Sequence, residues 1–129
     1  MAFIKFDNLG SKLSNKISLH KAESFGFAAG FFKKYALGNF NYVTLFFDPD
    51  GGKIGFQFLK EKTAGSSFKI IKSSDNKSGS VGARSFFRTF NIDSHKYEGK
   101  YDPVEHDEPG YGKIFYIVLK SHDKSENDL

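Results

Sequence analysis

Six basic residues stand just ahead of, or at the start of, two short apolar segments. Lys16 and Lys21 precede "FAAGFFKKYAL" (27–37), and Lys72, Lys77, Arg84 and Arg88 surround the start of "GARSFFRTFNI" (82–92). Ammonium and guanidinium groups gathered in this way can neutralise phosphates, and binding of that kind weakens steeply with salt. The competing reading is a solvated lysine-bearing surface, common on soluble domains. Two further clusters could do chemistry. "DPDGGK" (48–53) opens like a calcium loop, but Leu59 stands at the twelfth position, where that loop needs Glu. It therefore reads as a tight turn between strands. "DPVEHDEPGYG" (102–112) holds Asp102, Glu105, His106, Asp107 and Glu108, which could gather a cation or act as acid and base. Metal ligands normally converge from separate segments, so this stretch reads as an acidic hairpin loop suited to docking a partner.

No catalytic motif is recognisable. The four histidines (His20, His95, His106, His122) lack metal spacing, "GSVGAR" lacks the spacing of a phosphate loop, and no GxSxG is present. There is no cysteine, which excludes disulfides, thiolate catalysis and cysteine-based zinc sites. The chain is accordingly expected to be no enzyme and to need no metal or cofactor. The rings are the remaining resource: 16 Phe and six Tyr, with no Trp. In "NYVTLFF" (41–47), Tyr42, Thr44 and Phe46 point one way and Val43, Leu45 and Phe47 the other. An open face of this kind could stack nucleobases. A face covered by a helix or by the other half of the chain is simply core.

The elements that must position these groups are written twice. At a constant offset of 55, Ala28 meets Ala83, Phe31-Phe32 meet Phe86-Phe87, Lys33 meets Arg88, Tyr35 meets Phe90 and Leu37 meets Ile92. At an offset of 60, "KIGFQFLK" (53–60) meets "KIFYIVLK" (113–120). The apolar spacing of "FAAGFFKKYAL" predicts a helix of two to three turns stopped by Gly38. "NYVTLFFD" and "KIGFQFLK" read as strands around a turn, and "KIFYIVLK", apolar on both faces, reads as a doubly covered central strand. "SSDNKSGS" (73–80) reads as an exposed loop. The expected fold is α+β and mostly β: two pseudo-symmetric strand-helix-strand-strand units, about 14–60 and 67–120, forming one compact barrel-like or two-layer domain over 1–120. Residues 121–129 are expected to be a disordered polar tail.

This order of elements, with a short helix ending near "KKYAL-G", a strand like "NYVTLFFD", a turn and then "GKIGFQF", resembles the swapped-hairpin family of AbrB-, MazE-, SpoVT- and MraZ-type regulators and antitoxins. The resemblance implies two copies interlocked into one barrel, either as a dimer or within one chain, where they would cover about 14–60 and 67–120. It also implies DNA binding by a basic face assembled from both. The chain departs from the family in lacking the proline commonly found before the helix: "HKAESFGFAAG" (20–30) has Lys21 but no proline.

Charge adds to this expectation. Residues 1–100 carry 16 Lys/Arg against eight Asp/Glu, whereas 101–129 carry three against seven. A basic body with an acidic C-terminal stretch suits a polyanion binder. No signal peptide or membrane-length apolar run is visible, so a cytoplasmic protein is expected, with no membrane partner. The expected activity is nucleic-acid binding, with DNA the first partner, by Lys16, Lys21, Lys72, Lys77, Arg84 and Arg88, as in a transcriptional regulator. The alternative is a protein-interaction or homo-oligomerisation module with no nucleic-acid role.

Overall fold

The computed structural model describes residues 15–62 and 67–121 of the chain. All but Ser121 of the expected polar tail lies outside the described residues. The first half is a hairpin of Ile17–His20 (β1) and Ser24–Phe27 (β2), a helix Ala29–Lys34 (α1), a 3-10 turn at Leu37–Asn39, and a longer hairpin of Tyr42–Asp48 (β3) and Lys53–Leu59 (β4). The second half runs Phe68–Lys69 (β5), Ile71–Lys72 (β6), Gly79–Gly82 (β7), helices Arg84–Thr89 (α2) and Ser94–Tyr97 (α3), Gly99–Tyr101 (β8), Val104–Glu108 (β9) and Gly112–Val118 (β10). Two antiparallel sheets result, ordered β6-β7-β2-β1-β8 and β5-β3-β4-β10-β9. No described helix is long and apolar enough to cross a membrane.

The fold is α+β and mostly β, and its layers are the two sheets. The described strands form no closed barrel. Instead, two extended stretches turn corners from one sheet to the other: β5 to β6 through Ile70, and β8 to β9 through Asp102-Pro103. Strands that switch sheets at a bend are a known way to join crossed layers. Period-two alternation places Ile17, Leu19, Phe25 and Phe27 of the first sheet against Ile54, Phe56, Phe115 and Ile117 of the second, and all eight are buried. Phe25 meets Phe56 edge-on at 4.9 Å, and Phe27 meets Phe58 at 5.2 Å. Each ring buried this way contributes about 1.5–3 kcal/mol. The helices fill the space at the sheet ends. Phe31 of α1 packs edge-on against Phe115 at 5.1 Å, and Phe87 of α2 lies 5.2 Å from Phe25.

The two helices agree in detail. Each has six residues, at the offset of 55 seen in the sequence. Phe32 N–H donates to Ala28 O at 2.9 Å, and Phe87 N–H donates to Ala83 O at 3.1 Å. Both helices stop at a left-handed residue, Ala36 and Asn91, each with φ 54°. The chain therefore leaves the helix before Gly38, the expected stop, because αL geometry at the position after the C-cap already ends it.

Three other expectations change. First, each half carries a hairpin ahead of its helix, β1–β2 and β6–β7, rather than a single strand. Phe27 belongs to β2 and not to the helix, and Gly79–Ser80 of the supposed loop belong to β7. Gly79 permits the strand to lie on α1, since a Cβ there would stand 2.9 Å from Phe32 Cε1. Second, the alignment of "KIGFQFLK" with "KIFYIVLK" puts matched residues on opposite faces. β4 and β10 pair Phe56 with Phe115 and Ile54 with Ile117, so Ile54 faces the core and Ile114 faces outward. A slip of one residue inverts every side chain, so the structural match must be shifted by one. Third, β10 lies inside its sheet, but Ile114 and Tyr116 on its outer face line an open hollow rather than meeting a second layer.

Candidate nucleic-acid interface

The six predicted basic residues fall in three places. Lys21, Arg84 and Arg88 gather where the β1–β2 turn meets α2. The turn is held there by Ala83 N–H donating to Glu23 O at 2.9 Å and by Ser94 Oγ donating to Lys21 O at 2.8 Å. Glu23, at the end of that turn, occupies a left-handed conformation, φ 61°. Arg84 and Arg88, one helical turn apart on a single face, both approach Glu23 Oε1, at 3.8 and 3.5 Å. The two guanidinium side chains are 72% and 67% exposed and Glu23 only 21%. Lys21 lies 3.4 Å from Glu98. Exposed pairs of this kind are worth about 0–1 kcal/mol and exchange readily for another anion.

Lys72 and Lys77 belong to the β6–β7 hairpin, beside α1. Lys72 Nζ donates to Gly38 O at 2.8 Å and to Asn41 Oδ1 at 3.0 Å, tying β6 to the 3-10 turn. Those bonds give Lys72 a part in the scaffold. The turn itself is closed by Asp75, which accepts from Ser73 Oγ at 2.6 Å and from Lys77 N–H at 3.1 Å. These bonds hold the Asp75 carboxyl below its ordinary pKa, the serine hydroxyl first and the Lys77 amide second. The Lys77 side chain faces a hollow of about 490 Å³ between the turn and α1, lined also by Lys33, Asn39 and Asn76. Among the described residues Lys33 makes no ion pair.

Lys16 lies apart from the others. Its ammonium bonds Asp102 at 2.6 Å, at the corner where β8 leaves the first sheet. Lys100 and Lys120 line the same shallow recess. The structure thus brings together Lys21, Arg84 and Arg88, places Lys77 beside Lys33, and separates Lys16 from both groups. Lys33, Lys100 and Lys120 were not singled out from the sequence. The offset of 55 that matches Lys33 with Arg88 was the available signal for the first. The other two become neighbours only through strand pairing.

The acidic segment 102–112 is not a loop. Val104–Glu108 forms β9, the free edge of the second sheet, and the turn is confined to Pro109–Tyr111. Glu105 lies against the Tyr35 hydroxyl, which holds its carboxyl below the ordinary value, with Lys113 3.4 Å away adding to the effect. The same contact raises the Tyr35 pKa, burial adding to it. Asp48 is used by its own turn, accepting from Asp50 N–H and Gly51 N–H at 3.1 Å each.

Charge is unevenly divided between the layers. The two hairpins of the second sheet, 42–59 and 104–118, hold five carboxylates against two lysines. The remaining described residues hold 14 Lys/Arg against six Asp/Glu. No known protein family, curated protein or solved structure matches the chain.

Proposed function

We propose that the chain binds nucleic acid, DNA in the first place, through the basic groups at its two hairpin–helix junctions, and that it does so in the cytoplasm as a transcriptional regulator. The observation that carries the reading is the charge segregation: outside the hairpins of the second sheet, the described residues hold 14 bases against six acids. Arg84 and Arg88 would engage phosphates bidentately, with Lys21 beside them. Lys77 and Lys33 would serve the second junction.

The same reading takes the halves as two copies of one unit related by a pseudo-twofold axis, as in the swapped-hairpin family. Supporting it are the equal helices, their left-handed terminators and the order of both sheets. In each sheet the hairpins of the two halves lie side by side, β2 on β7 and β4 on β10. Under that symmetry the β1–β2 turn beside α2 and the β6–β7 turn beside α1 are equivalent positions, which would present basic groups at two related sites along a duplex.

The test is fluorescence anisotropy of labelled duplex DNA, single-stranded DNA and RNA with the wild-type protein and with R84E/R88E, at salt from 50 to 200 mM. Two phosphates lost should flatten the slope of log K against log salt by about 1.4–1.8. Equal slopes for the two proteins would remove Arg84 and Arg88 from the interface. Absence of binding to all three probes would remove the function.

A further inference from the structure

The outer face of the second sheet has a chemistry opposite to that of the basic junctions. A hollow of about 340 Å³ lies on it, walled by Phe46, Tyr111 and Tyr116 and rimmed by Asp48 and Glu108. Its floor is Gly55. A Cβ there would stand 3.3 Å from both Ile114 Cδ1 and Phe46 Cβ, so the missing side chain gives the hollow its depth. Gln57 Nε2 donates to Tyr111 O at 2.8 Å and fixes the β9–β10 turn, so that the Tyr111 ring meets Phe46 edge-on at 4.9 Å. Tyr111 is nonetheless 55% exposed. The rings already accept a cation: Lys53 Nζ sits 4.8 Å from the centroid of Tyr116. His106 Nε2 lies 3.1 Å from Glu108 Oε1, which leaves Oε2 for a second donor.

The hollow adjoins β9, whose residues Val104–Asp107 are exposed and whose backbone pairs on one side only. An edge of this kind can accept an extended segment as a further strand, with alternate side chains directed to one face of the sheet. The acidic rim repels phosphate and attracts a cation, and flat guanidinium groups stack on rings while forking onto carboxylates.

We propose that β9 and the adjoining ring-walled hollow dock an extended, arginine-bearing segment of a partner protein. The segment adds to the β9 edge and places one arginine between the rings and Glu108. This site is independent of the nucleic-acid reading and shares no residue with it.

The test is a titration of the isotope-labelled full chain with acetyl-Val-Arg-Val-Arg-Val-amide, followed by amide chemical shifts, with the glutamate counterpart as control. The expected result is saturable binding of the arginine peptide below 1 mM, shifts centred on 104–116, and no binding of the glutamate peptide. Glu108→Gln and Tyr111→Ala should each weaken it about tenfold, the usual scale for losing one central charged or aromatic anchor. R84E/R88E should leave it unchanged, so failure of this site and failure of the basic junctions read out separately. Equal binding of both peptides, no binding at 1 mM, or indifference to both substitutions overturns the proposal. So does concentration-dependent self-association that Glu108→Gln abolishes, since the occupant would then be a second copy of this chain.

Discussion

Replacing Glu23 by Gln should make the protein slightly less stable and a better binder of polyanions. Glu23 is the one carboxylate shared by Arg84 and Arg88, at 3.8 and 3.5 Å. Each guanidinium is mostly solvated, so each pair is worth about 0.2–1 kcal/mol after screening and side-chain ordering are included. A phosphate that takes both arginines must first displace Glu23, giving up about 0.4–2 kcal/mol. Gln keeps the size of the side chain and removes that competition. DNA affinity should therefore rise about two- to thirtyfold, at 1.4 kcal/mol per decade. Unfolding free energy should fall by the same 0.4–2 kcal/mol. Anisotropy titrations at 100 mM salt, paired with urea denaturation, measure both changes. Affinity that stays level or drops in a folded E23Q protein would refute the assignment of Arg84 and Arg88 to the interface.

Other consequences concern the scaffold. Phe56→Ala, at a fully buried ring with Phe25 at 4.9 Å and Phe27 at 6.0 Å, should cost about 3–5 kcal/mol in urea unfolding. A cost below 1 kcal/mol would contradict the face-to-face packing of the sheets. Ala36→Gly should stabilise by about 0.5–1 kcal/mol, because Ala36 holds φ 54° at a helix end where glycine carries no steric cost, and thermal unfolding reads the shift. Acid should loosen the structure through Glu105 and Asp75. Both carboxyls lie below their ordinary values when folded, held by Tyr35 and Ser73 respectively. Their contributions are present above the ordinary values of 4.5 and 3.8 and fade as pH falls through the folded ones. The double variant E105Q/D75N should show a shallower loss of melting temperature below pH 5 than the wild type.

Much of the scaffold was legible because it rests on period and punctuation. The alternation of "NYVTLFFD" gave β3 its two faces, and "PDGG" gave the turn to β4. The offset of 55 matched α1 with α2 residue for residue. What escaped was decided by pairing between distant segments. β2 and β7 are four residues each and gain their identity from lying on one another, Phe25 opposite Val81. "SSDNKSGS" has loop composition throughout, yet its last two residues are needed as strand because Gly79 fits under Phe32. The identities between β4 and β10 suggested an ungapped match that their register reverses, since sequence likeness does not record which face a residue occupies. At the candidate site, the basic residues were visible as residues, but their partners were not. Glu23 meets Arg84 and Arg88 across more than 60 positions, and Lys72 bonds two oxygens, of Gly38 and Asn41, more than 30 positions away.

The most direct measurement of the central claim is an amide chemical-shift map of the full chain titrated with a 12-base-pair DNA duplex at 100 mM salt. Perturbations at Lys21–Glu23 and Arg84–Arg88, together with those at Lys33 and Lys77, and none along 104–118, are the result predicted. An unperturbed spectrum, or shifts confined to the β9–β10 hairpin, would contradict the claim that the basic junctions bind nucleic acid.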